Sequence, residues 1–218
     1  IGTVFPDMKW MGVEPCEMNT FSSFIEEASG KILLMGCGLG YVAYMLSLKE
    51  EVEEITIVEL DSDVKKMFEL YLKPQMNSKI HIVKGDAIEF LKRENLSMYQ
   101  YCSVDIWHGA FEMFPIYLKC LLLEVHHPKT KFHYWLEEDL YIVLETFWII
   151  LLRKLVNREL TNKKAEIFTN ILFDQNIETL EDIRKFILAP KRQFIKEWVL
   201  NHPKEAMNHK GFDKTLKL

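Results

Sequence analysis

The feature that most constrains this chain is Ile32-Leu33-Leu34-Met35 followed at once by Gly36-Cys37-Gly38-Leu39-Gly40. Four apolar residues in a row, ending in a glycine cluster, read as a strand buried on both faces. Such strands belong to parallel sheets covered by helices. A helical stretch over residues 41–48 comes next, and the alternation then repeats. Ile55-Thr56-Ile57-Val58 is a second strand, rich in β-branched residues. Asp61-Ser62-Asp63 can cap a helix whose apolar face, at helical spacing, is Val64, Met67, Phe68, Tyr71 and Leu72. Residues 80–83 make a third strand, 87–92 a short helix, 101–106 a fourth strand, 116–123 a helix and 132–136 a fifth strand. Strand and helix in turn predict an α/β fold, a doubly wound and mostly parallel sheet with helices on both faces.

Two further zones flank this core. Residues 1–30 hold Trp10-Met11-Gly12 and an amphipathic stretch in which Phe21, Phe24 and Ile25 share a face, with Gly30 where a helix C-cap would sit. The sheet domain is expected over residues 31–157, closed by a long apolar helix from Glu137, and a helical C-terminal extension over 158–218. In that extension Thr179-Leu180-Glu181-Asp182 fits a capping box, and Pro190 precedes a last helical stretch ending near Asn201. Seven basic and three acidic residues after Pro190 read as a solvated helical face.

Composition narrows the class of partner. With 27 basic and 32 acidic residues the formal charge is −5, which speaks against a protein that tracks a nucleic-acid backbone. The longest apolar run, residues 146–152, is far short of the roughly 20 residues that span a bilayer, so no membrane partner is expected. Cys16, Cys37, Cys102 and Cys120 show no CxxC spacing and read as reduced thiols of a cytoplasmic protein, three of them in or beside the core. The chain starts at Ile1, which leaves the start of the protein open, a removed targeting segment included.

The chemistry gathers behind the glycine turn. In an open parallel sheet, ligands bind beyond the carboxyl ends of the strands, and the first strand–helix turn is the usual site. Glu59 ends the second strand, 19 residues after Gly40, where a carboxylate can accept two hydrogen bonds from vicinal ribose hydroxyls. Together they make an adenosine-type site. A dinucleotide fingerprint needs a small residue at position 41, which is Tyr41, and no P-loop occurs. A ligand without a pyrophosphate fits better.

Gly36-Cys37-Gly38-Leu39-Gly40, Ile57-Val58-Glu59-Leu60-Asp61, Gly85-Asp86-Ala87 and Val104-Asp105 together resemble the class I S-adenosylmethionine-dependent methyltransferase fold, most closely its spermidine-synthase-like branch. Residues 10–20 and Asp105-Ile106-Trp107-His108 are also similar to an uncharacterised group of bacterial proteins with this core. The resemblance implies S-adenosylmethionine as cofactor and a Rossmann-like fold. It implies that Gly36, Gly38 and Gly40, with Cys37, form the floor under the methionine part, and that Glu59, followed by Leu60, holds the ribose. Asp86 would accept from the adenine amine, the Ala87 N–H would lie beside the ring, and Asp105 would sit near the sulfonium and the acceptor. Leu34 stands where many methyltransferases carry an acid, so the anchor of the cofactor's amino group is not assigned. The usual antiparallel strand pair after the fifth strand is missing from the pattern.

Methyl transfer from a sulfonium is an in-line displacement in which positioning supplies most of the acceleration, and a base is needed only when the acceptor must lose a proton. Asp105 is the first candidate for that base, against the plainer reading of a strand-end acid that caps a loop. His108 is the second, against a solvent-facing loop histidine. Trp107 could stack on a substrate or simply pack, and Trp10, Met11 and Phe21 could form a lid or belong to the core. His126, His127 and His133 lack ligand spacing with any acid or cysteine, and no metal is expected. The reading is a methyltransferase of unknown acceptor, a small molecule or a macromolecular side chain. The alternatives are a spermidine-synthase-like aminopropyltransferase, which generally needs a further acid after Asp105, and a non-catalytic binding module. Self-association into a homodimer is left open.

Overall fold

The computed structural model describes residues 14–76, 78–93, 96–108, 110–156 and 191–208. The chain divides into two compact units, residues 1–108 with 119–136, and residues 109–118 with 137–218. The readings of Trp10 and Met11 and of the Thr179 capping box lie outside the described residues, as do the side chains of residues 147–156.

The first unit is built on five parallel strands, β1 (Gly30–Met35), β2 (Val52–Glu59), β3 (Ile80–Lys84), β4 (Tyr101–Val104) and β5 (Lys131–Tyr134), in the order β3-β2-β1-β4-β5. The expected α/β sheet is present, and its first strand is central. Ile32, Leu33, Leu34 and Met35 are all buried, as a strand covered on both faces requires. Edge strand β3 instead alternates, with Ile80 and Ile82 inside and His81 and Val83 outside. Ile55, Ile57, Leu46 and Phe68 close the core on the β2 side, each such side chain contributing roughly 1.5–3 kcal/mol by leaving water.

The segment before β1 forms two short helices, α1 (Pro15–Thr20) and α2 (Ser22–Glu27). Gly30 is not a helix cap as expected. Ala28 ends α2, and Gly30 opens β1 at φ +70°, where a Cβ would meet the Gln100 amide oxygen at 2.5 Å. Lys49 holds the end of α2. Its ammonium donates to the carbonyls of Ile25, Glu26 and Ala28 at 2.7, 2.8 and 2.7 Å, satisfying oxygens that the helix leaves bare. Phe21 stacks on Trp135 at 6.0 Å with the rings parallel, and Phe24 stacks on His133 at 4.8 Å. The Trp135 indole also donates to the Thr20 hydroxyl at 2.9 Å, so α1 and α2 are fastened to the end of β5. Phe21 is therefore core.

After β1 comes α3 (Tyr41–Ser47), and after β2 comes α4 (Ser62–Met67). Asp61 caps α4 as expected, accepting from Asp63 and Val64 N–H at 2.7 and 3.3 Å. The expected apolar face holds in part. Phe68 is buried, Val64 and Leu72 are half-buried, and Met67 and Tyr71 are exposed. Tyr71 leaves the face at a change of period: the helix continues as a π turn over Phe68–Leu72 and a 3₁₀ turn over Lys73–Gln75. Wider i→i+5 bonds break the 3.6-residue repeat on which the expected face was drawn.

Helix α5 (Ala87–Arg93) follows β3, and α6 (Ala110–Glu124), which contributes residues to both units, lies between β4 and β5. In the second unit, α7 (Glu137–Val156), α8 (Lys191–Asn201) and α9 (Pro203–Asn208) bear out a helical C-terminal part. There the Tyr117 and Tyr141 hydroxyls donate to the same Glu137 oxygen, the Tyr141 bond at 2.7 Å, and lie 2.8 Å from each other. Arg192 faces the other Glu137 oxygen at 3.6 Å. Burial and the Glu137 charge push both phenols well above their ordinary range, so they stay protonated as donors. No described helix is long and apolar enough to cross a membrane.

Candidate functional site

The strand register brings the expected residues to one edge. Met35 lies opposite Val58 of β2 and Val104 of β4, so Gly36, Glu59 and Asp105 leave the sheet at the same level. Backbone bonds lock that alignment: Gly36 N–H donates to the Val58 carbonyl, Asp105 N–H to Met35 and Gly85 N–H to Glu59, each at 2.9 Å. Strand β1 is also where the order reverses, with β2 on one side and β4 on the other. At such a reversal the flanking connections leave to opposite faces and open a crevice.

The glycine turn is shaped by what surrounds it. Gly36, at φ +96°, has the Asp105 carbonyl oxygen 2.0 Å from where a Cβ would be. Gly40, the left-handed N-cap of α3 at φ +76°, has the Phe68 ring at 2.8 Å and the Met76 methyl at 3.3 Å. Gly38 differs: a Cβ there would meet nothing within 4 Å. The outer glycines are thus pressed by the protein itself, while the middle one faces open space.

Glu59 binds the turn. Its Oε2 accepts the Cys37 N–H at 2.9 Å and its Oε1 accepts the Asp61 N–H at 2.8 Å. A carboxylate offers about four lone-pair sites. Two are filled, and one on each oxygen remains for a vicinal diol. The Cys37 side chain is buried, and its thiol is pushed up to about 12 by burial and then by Glu59, so Cys37 serves through its amide and not as a thiolate. Leu39 and Leu60, both exposed, flank the turn and Glu59 in sequence.

Asp86 is exposed and closes the first turn of α5 by accepting the Glu89 N–H at 3.0 Å, with Ala87 buried beside it. It follows Gly85, whose N–H donates to the Glu59 carbonyl, so its backbone lies at the same edge as Glu59. Asp105 is half-buried, and its carboxyl is pushed up to about 7, first by burial, then by the Glu17 charge of α1, with Glu59 adding to the rise and His108 opposing it. A carboxyl that titrates near neutrality can accept a proton under physiological conditions. His108 is exposed and close enough to act on Asp105 electrostatically.

Other sequence candidates resolve as structure. The Trp107 indole is buried, donates to the Trp135 carbonyl at 3.1 Å and stacks on Tyr134, so it packs. His127 bonds the Leu91 carbonyl at 2.9 Å and His133 bonds the Ser103 hydroxyl at 3.1 Å, each within a different layer of the fold. Three residues not expected at the site contribute to it: Glu17, whose charge acts on Asp105 because of how α1 docks, and Phe68 and Met76, which close on Gly40.

A parallel sheet in the order β3-β2-β1-β4-β5, with a glycine turn at the reversal and an acid at the end of β2, decides the architecture. The fold is a Rossmann-like, doubly wound parallel sheet. No family model matches the chain, and no curated protein gives a significant match. Among solved structures, a dimethyladenosine transferase from Plasmodium falciparum is 14% identical at a TM-score of 0.42, covering 57% of this chain and 42% of its own. Spermidine synthase from Thermotoga maritima is 20% identical at 0.37, covering 47% and 39%. The Trypanosoma brucei PRMT1 enzyme–prozyme complex with AdoHcy is 16% identical at 0.39, covering 53% and 36%. The chain spans less than half the length of each of these structures.

Proposed function

We propose that the chain is an S-adenosylmethionine-dependent methyltransferase, with the crevice at the ends of β2, β1 and β4 as its cofactor site. The observation that carries this reading is the Glu59 clasp. One carboxylate orders the glycine turn through Cys37 N–H and keeps an open lone pair on each oxygen, as a ribose diol needs. The open space at Gly38 suits the close approach of a ligand to backbone, and the residues present therefore fit the cofactor. Glu59 would hold the ribose, Asp86 the adenine amine, and the turn at Gly36, Cys37 and Gly38 the methionine part.

When bound, the cofactor supplies a methyl group on a sulfonium, already a good leaving group. The chain's own residues then need to place an acceptor in line and take up its proton. Asp105 is suited to both tasks. It stands at the level of Gly36 across the strand reversal, and burial with the Glu17 charge raises its carboxyl to about 7, which suits it to receive a proton at its oxygen. His108 is the neighbouring group through which that proton can pass to solvent.

Glu17 gives a second reading its support. Aminopropyl transfer wants more than one carboxylate for a cationic acceptor, and Glu17 supplies a charge beside Asp105 that the segment after β4 does not. Thermal unfolding with S-adenosylmethionine, S-adenosylhomocysteine and decarboxylated S-adenosylmethionine separates the two. Methyl transfer predicts that the first two stabilise the fold, by about 2.7 kcal/mol at 100 times Kd. A response to the decarboxylated form alone favours aminopropyl transfer, and no response to any of the three sinks both.

A further inference from the structure

We propose that Phe68 is a positioning residue for the methionine half of the ligand, acting through Gly40; the inference rests on the cofactor reading above. The segment that follows β2 grips the glycine turn twice. Glu59 holds its beginning by the Cys37 N–H, and Phe68 closes on its end, with the ring edge 2.8 Å from the Cβ position of Gly40 and the Met76 methyl at 3.3 Å. Phe68 is almost wholly buried and opens the π turn that runs to Leu72. A π turn is rarer and less favourable than continued α-helix, and it recurs at functional sites. Here it separates Phe68, which points inward, from Leu70 and Tyr71, which stand in solvent.

The consequence is preorganisation. Gly40 sits at φ +76° and its carbonyl accepts the Tyr44 N–H at 2.9 Å, so it fixes both the end of the turn and the start of α3. A glycine without a neighbour samples several backbone wells, and a ligand that needs one of them bears the ordering cost. The flat Phe68 ring removes the alternatives before the ligand arrives. Glu59 and Asp86 do not depend on that ring, because their places follow from the β2–β3 register and the α5 cap. Loss of the ring should therefore weaken ligands that lie on the turn and spare those that use only the carboxylates.

Calorimetric titration of wild type and Phe68→Leu with S-adenosylhomocysteine and with adenosine tests this. The expected result is a loss of roughly tenfold or more for S-adenosylhomocysteine and a change within about twofold for adenosine. Because partial unfolding scales both affinities by the same factor, a selective loss cannot come from a weaker fold. Phe68→Met refills the volume without a flat wall. It is expected to show the same selectivity at smaller size, and it carries the test if Phe68→Leu does not fold. Equal losses for both ligands, or no loss for either, overturn the assignment and leave the cofactor reading intact. Wild-type protein that binds neither ligand overturns the cofactor reading itself, and the role of Phe68 falls with it.

Discussion

The Oε2 atom of Glu59 accepts the backbone N–H of Cys37 at 2.9 Å, joining the end of one strand to the glycine turn that leaves its neighbour. The same side chain accepts Asp61 N–H through Oε1, so both of its protein partners are donors. Glutamine has one acceptor oxygen and one NH₂ group, and in Glu59→Gln a donor must face a donor. Denaturant unfolding of this variant should show a loss of about 1–3 kcal/mol with an unchanged slope. A loss below about 0.5 kcal/mol would mean that the clasp is not formed in solution.

The glycines of the turn should separate by cause. Gly36→Ala drives a methyl group into the Asp105 carbonyl, 2.0 Å away, at a φ of +96°, and is expected to abolish folding or cost more than about 4 kcal/mol. Gly38→Ala meets no protein atom within 4 Å and carries only the left-handed backbone strain of about 1–2 kcal/mol. Its methyl group would nonetheless enter the open space that the proposed ligand needs. S-adenosylhomocysteine affinity, measured on the folded variant, should fall by much more than its stability does. A Gly38→Ala protein that binds as tightly as wild type would place the ligand elsewhere.

Asp105 gives a pH signature of fixed sign. Its ordinary value is 3.8, and burial with the Glu17 charge raises it to about 7 in the folded protein. The folded state therefore keeps a proton that the unfolded chain releases, and stability is lost as pH rises from about 4 through about 7. Asp105→Asn removes this loss. Its melting temperature relative to wild type should climb between pH 4 and pH 7 and level off above, by about 2–4 °C per kcal/mol for a chain of this size. A difference that stays flat across that range contradicts a raised carboxyl at this position.

Much of this was legible in the residues because the signals were local. Ile32 to Met35 could be recognised as a doubly buried strand from four apolar letters, and the Asp61 cap from its spacing to Val64. Glu59, Gly36 and Asp105 could be placed at one edge because parallel strands end at one side of a sheet. What stayed hidden depends on longer-range geometry. The apolar pattern of residues 64–72 looks like one α-helical face, and nothing in the letters announces a π turn after Met67. Gly30 reads as a cap because glycine after a helix usually is one, but the close approach of Gln100, just before β4, decides its role. Glu17 sits 88 positions from Asp105, and contacts such as Phe21 on Trp135 and the Trp135 indole on Thr20 hold its helix on that side.

Lys49 offers a test of how the front of the first unit is held. Three carbonyls at the end of α2, that of its C-cap Ala28 included, share its ammonium group, and Lys49→Met keeps the stem while removing every donor. A hydrogen bond to a charged group contributes about 1.5–3 kcal/mol, and water can replace part of it at this half-buried place. An overall loss of about 2 kcal/mol is expected from chemical unfolding, with amide exchange of residues 24–28 accelerated beyond the global effect. Uniform acceleration across the sheet would argue that α2 does not depend on this cation.

Calorimetric titration with S-adenosylhomocysteine tests whether the crevice at Gly38 and Glu59 holds an S-adenosyl ligand. Saturable one-to-one binding to wild-type protein is expected, weakened by roughly tenfold or more in a folded Glu59→Ala variant that has lost two charge-assisted acceptors. Absence of binding to the wild type at about millimolar ligand, or equal affinity in wild type and Glu59→Ala, would contradict it.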